Sequence, residues 1–111
     1  MRRWIKYGGG KWDDLGHLPK SLTSIGNEAF SGCDSLATLY LPTSLTSIGR
    51  VAFSWCNSLT TIHLPASLTT IGDGVFFECL SLTSIYIPKD SKERFGRLLD
   101  KQWLIDKLVE E

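Results

Sequence analysis

The chain has 111 residues, enough for one domain that buries roughly two-thirds of the surface its unfolded chain exposes. Hydrophobic residues are 42% and charged residues 22%, which fits an ordinary globular domain and no disordered or fibrous class. The formal net charge is zero and no apolar stretch approaches a membrane span, so nucleic acid and membrane insertion are excluded as expected partners.

Residues 1–17 come first. Arg2, Arg3, Lys6 and Lys11 make a basic, solvated start, and Trp4, Ile5, Tyr7 and Trp12 add apolar area. No apolar run follows the basic residues, so this stretch is not a secretion signal as it stands. The chain is expected to be cytoplasmic, or to have its signal outside this sequence. Gly8-Gly9-Gly10 reads as a turn or joint. Asp13 and Gly16 stand where later copies carry leucine, so residues 1–17 are expected to be a cap built from a degenerate first coil.

Residues 18–88 repeat with a period of 23. The copies are LPKSLTSIGNEAFSGCDSLATLY from Leu18, LPTSLTSIGRVAFSWCNSLTTIH from Leu41 and LPASLTTIGDGVFFECLSLTSIY from Leu64. The first two agree at 15 of 23 positions without a gap. Columns such as Ile25/Ile48/Ile71, Phe30/Phe53/Phe76 and Leu36/Leu59/Leu82 cannot be buried by one coil. Stacked coils turn each column into an internal ladder. Residues 36–41 (LATLYL), 59–64 and 82–87 follow L-x-x-L-x-L, which predicts parallel strands in one sheet. Residues 22–25, 45–48 and 68–71 suit short extended segments on the other face. Ala29-Phe30, Ala52-Phe53 and Val75-Phe76 are expected in single helical turns, with Asn27 and Asp73 as caps. Gly26, Gly49 and Gly72 mark a sharp turn, and Pro19, Pro42, Pro65 and Pro88 end the strands.

The pattern L-x-x-L-x-L-P-x-S-L-x-x-I-G-x-x-A-F-x-x-C over residues 18–88 resembles the BspA-type leucine-rich repeats of bacterial and protozoan surface proteins. The resemblance implies a leucine-rich-repeat solenoid used for protein contact, commonly extracellular and linked to adhesion. It carries over no catalytic residue. The chain departs from the family in length, since members often hold many more repeats.

Residues 89–111 are expected to form a C-terminal helical cap. Asp90 with Glu93 reads as a capping box. Phe95, Leu98 and Leu99 share a helical face, and residues 103–109 are expected to resume the helix after a break near Asp100.

Three sets of residues invite chemistry. Cys33, Cys56 and Cys79 stand one per coil, in a row that cannot wrap a tetrahedral metal ion, so a ladder of reduced core thiols is expected and no metal or other cofactor. His17, Tyr40, His63 and Tyr86 form one column facing outward from the strands, flanked by Thr38, Thr61 and Ser84. A Ser84–His63 pair is geometrically conceivable. The sequence offers it no orienting acid, oxyanion hole or pocket, so the chain is not expected to be an enzyme. The column reads equally as a recognition stripe or as cross-strand sheet stabilisation. Trp55 aligns with Gly32 and Glu78 at an exposed position, where it marks a contact or packs over Phe77. The expected partner is a protein, with self-association a further option. The alternative is a structural spacer or a terminal fragment of a longer array, without its own ligand.

Overall fold

The structure, a computed structural model, describes Leu18, residues 20–34 and residues 36–111. The expectations for residues 1–17, His17 among them, and for Pro19 lie outside the described residues. Along the chain run β1 (Ser24–Ile25), β2 (Thr38–Tyr40), β3 (Ser47–Ile48), β4 (Thr61–His63), β5 (Thr70–Ile71), β6 (Ser84–Ile87), α1 (Lys92–Leu99), α2 (Gln102–Ile105) and β7 (Leu108–Glu110). Two parallel sheets result, one ordered β1-β3-β5 and the other β2-β4-β6-β7. The register is the repeat itself: Leu39 lies opposite Ile62 and Ile62 opposite Ile85, one period apart.

The ladders fill the space between the sheets. Phe30, Phe53 and Phe76 stack with centroids 5.1 and 5.9 Å apart, all fully or almost fully buried. Leu36, Leu59 and Leu82 form a parallel column inside, as do Leu39, Ile62 and Ile85. Outside, threonine hydroxyls bond back along the stack. Thr46 and Thr69 donate to the carbonyls of Thr23 and Thr46, and Thr60 and Thr83 to those of Ala37 and Thr60.

The turns at residues 27–32 and 50–55 differ from the expected helical ones. They are successive i→i+3 turns with left-handed residues, Glu28 at φ 62° and Val51 at φ 46°. Alternate N–H groups leave the coil for the next one: Phe30 N–H donates to Ala52 (2.8 Å) and Phe53 N–H to Val75 (3.0 Å). A helical turn would aim those donors at its own coil. Asn27 likewise caps its neighbour, accepting from the Arg50 N–H at 2.8 Å. Gly49 and Gly72 are required by close approach rather than by turn geometry. A Cβ on Gly72 would stand 2.5 Å from the Arg50 nitrogen.

The C-terminal segment corrects two further expectations. Ser91, not Asp90, precedes α1; Asp90 is left-handed, and Glu93 pairs with Arg97 at 3.7 Å instead of capping. The first helical N–H, of Lys92, donates to the Glu110 carboxylate at 3.1 Å. Residues 103–109 do not continue as helix: α2 ends at Ile105, and Leu108–Glu110 form a strand beside β6. The break at Asp100 falls where expected. Residues 87–109 therefore make a fourth coil of the same length as the others, with a helix in place of the second-sheet strand and its turn.

Candidate functional site

The outward strand face carries a single stack of rings. Tyr40 and His63 lie 4.3 Å apart at 17° and His63 and Tyr86 4.8 Å apart at 12°. The in-register pairing Tyr40↔His63↔Tyr86 imposes this, because identical strand positions one coil apart sit about 4.8 Å from each other. Each imidazole face is covered by a phenol ring, so His63 presents its edge. Thr38, Thr61 and Ser84 form the adjoining row, half-buried and paired with one another. Ser84 is in register with Thr61, and the residue opposite His63 is Tyr86.

Glu111 joins this site, although no sequence motif points to it. Its Oε1 lies 3.0 Å from His63 Nδ1. A carboxylate only accepts, so Nδ1–H is the donor in this contact. The orienting acid missing from the sequence reading is thus supplied. Glu111 reaches His63 because β7 extends the sheet and the Glu111 N–H bonds to the Ile87 carbonyl at 2.9 Å. Beside the stack lies an open depression bounded by Tyr40, Leu41, Thr43, His63, Pro65 and Glu111, among others.

The cysteines take another place. Cys33, Cys56 and Cys79 are buried in the core. Cys56 donates to the Phe30 carbonyl (3.2 Å) and Cys79 to that of Phe53 (2.9 Å). Contact with the Cys79 thiol, together with burial, pushes the Cys56 thiol well above the ordinary range. Such thiols are held as hydrogen-bonded core groups. Of the two expectations for Trp55 the structure shows the packing: the ring lies edge-on against Phe77 at 6.0 Å and stays half exposed.

The family described as BspA type leucine-rich repeat region (6 copies) matches residues 16–98. The chain belongs to the BspA-type leucine-rich repeat family. The chain is similar to a solved leucine-rich repeat protein from Bacteroides ovatus ATCC 8483, at 33% identity and a TM-score of 0.65. The match covers 85% of this chain and 23% of that one, so the chain spans about a quarter of the length of the protein it resembles. No curated protein matches it. The matched BspA-type family is a repeat region and not an enzyme family.

Proposed function

We propose that this chain is a non-catalytic protein-binding module and that its strand face makes the contact. The observation carrying the reading is the Tyr40–His63–Tyr86 stack, braced by Glu111. Rings locked face to face lose little freedom on binding, and large amphipathic rings are efficient contact material. Thr38, Thr61 and Ser84 add hydroxyls along one side, and His17 belongs to the same column by sequence. A protein ligand suits the arrangement better than a reacting substrate. Both imidazole faces are covered, and Ser84 stands in the Thr61 row.

Size sets the mode of use. Four strands about 4.8 Å apart present a face of roughly 300 Å², against about 800 Å² per partner in a stable complex. The adjoining depression and further repeats of a longer array supply the remainder. Adhesion at a cell surface is the role that the family resemblance favours. The second reading, a structural spacer within a longer array, draws on the quarter-length match to the Bacteroides protein.

The test is selection of binders from a displayed random-peptide library, followed by affinity measurement on variants. Tyr40→Ala and Tyr86→Ala should each weaken binding by about 1 kcal/mol or more, the scale of moderate interface contacts. Binders indifferent to both substitutions would favour the spacer.

A further inference from the structure

A second surface lies away from the strand face, on the side formed by the turns. Trp55, Phe77, Leu80 and Trp103 are 50%, 53%, 78% and 44% exposed. Trp55 packs edge-on against Phe77, and Phe77 and Trp103 border one cleft between the third coil and α1–α2. Leu80 follows Phe77 by three residues in the third coil, beyond a turn closed by the Cys79 N–H on the Phe76 carbonyl (3.1 Å). Aromatic side chains expose 150–250 Å² each when free, so this group shows on the order of 400 Å². That matches the largest apolar patch of a typical monomer, which is often functional.

We propose that this patch is a self-association surface and that its occupant is a second copy of the chain, related by a two-fold axis. Area and charge carry the argument. A stable dimer buries about 800 Å² per partner, with an apolar centre and a polar rim. The four side chains provide about half of that, a fitting centre. Both signs of charge border the patch, with Asp100 and Lys101 lining the cleft and the Lys107 ammonium 6.0 Å from the centre of the Trp103 ring. A two-fold copy can bring each sign against its opposite, whereas a partner of one charge would meet repulsion from half of them. The net charge of zero removes long-range repulsion between copies. The cleft, with Leu98, Leu99 and Leu104 in its walls, has room for an apolar side chain from the partner.

The repeats supply their own tolerated replacements. Glu78 occupies the Trp55 position one coil on, with the same left-handed backbone (φ 60° against 61°), and Asp34 occupies the Leu80 position two coils back. Trp55→Glu/Leu80→Asp should therefore fold. Sedimentation velocity of the chain up to about 100 μM covers the micromolar affinities expected of an interface this size. The wild type should rise to twice the monomer mass, and the double variant should remain monomeric. Tyr40→Ala, on the strand face, should dimerise like the wild type. In parallel, concentration-dependent NMR shifts of the wild type should gather at Trp55, Phe77, Leu80 and Trp103. A wild type that stays monomeric overturns the proposal, leaving the patch to a different protein or to a lipid surface. So does a dimer that survives the double substitution, or shifts confined to the strand face.

Discussion

Leu108 lies in register opposite Ile85, at the same period that sets Ile85 opposite Ile62. The repeat therefore continues for one coil after its sequence signature has stopped. In that coil Arg94 takes over a bond made by serine elsewhere. Ser44 and Ser67 donate to the carbonyls of Leu22 and Leu45, and the Arg94 guanidinium donates to those of Leu68 (2.6 Å) and Ala66 (2.9 Å). The helix thus satisfies carbonyls of the third coil that another repeat would otherwise cover.

Removing residues 90–111 should expose Leu82, Ile85 and Ile87 together with the edge of β6. An uncovered parallel edge recruits other chains. The truncated chain is expected to aggregate or associate end to end in light scattering. A soluble, monomeric truncation would show that the fourth coil does not close the stack.

Phe53 has a ring on either side and no exposure. Phe53→Ala should cost roughly 3–5 kcal/mol, enough to unfold a solenoid with so few interfaces between coils. Chemical denaturation is the measurement. A loss below about 1 kcal/mol would remove the phenylalanine column from the core.

Gly72→Ala should destabilise by about 2 kcal/mol, within the range for overpacking, because its Cβ would press on the Arg50 backbone and not on a side chain that can swing away. Denaturant midpoints decide this one. An alanine variant as stable as the wild type would mean that the coils can separate locally at no cost.

Cys56 provides a pH prediction. Its folded thiol is held protonated above the ordinary thiol value of about 9. The unfolded chain therefore releases this proton first as pH rises, and the folded state binds more protons. The contribution is complete below about pH 9 and is lost above it. Stability of the wild type should fall more steeply with alkaline pH than that of Cys56→Ala. Equal slopes would show that the thiol titrates alike in both states.

The three coils were legible because each buries the same side-chain types at the same positions. Ile48 and Phe53 reveal their surroundings through Ile25, Ile71, Phe30 and Phe76. The outward column was legible for the same reason, since strand alternation fixes Tyr40, His63 and Tyr86 on one face. The fourth coil was not. Its match to the others lies in chain length and backbone path, while Leu99 and Leu104 are buried by a helix with a different spacing. Missing β7 meant missing Glu111, whose contact with His63 depends on a strand pairing that no sequence motif announces. The turns depart from the expected helical form because Val51 is left-handed, a backbone state that valine ordinarily avoids and that Gly74 accommodates one coil on.

The most direct test of the strand-face account is an NMR perturbation map of the chain titrated with a selected peptide binder. The account predicts shifts at Tyr40, His63 and Tyr86, extending to Thr38, Thr61, Ser84 and Glu111, with the imidazole resonances of His63 among the largest. Perturbations gathered instead around Trp55 and Phe77, with the strand face unmoved, would contradict it.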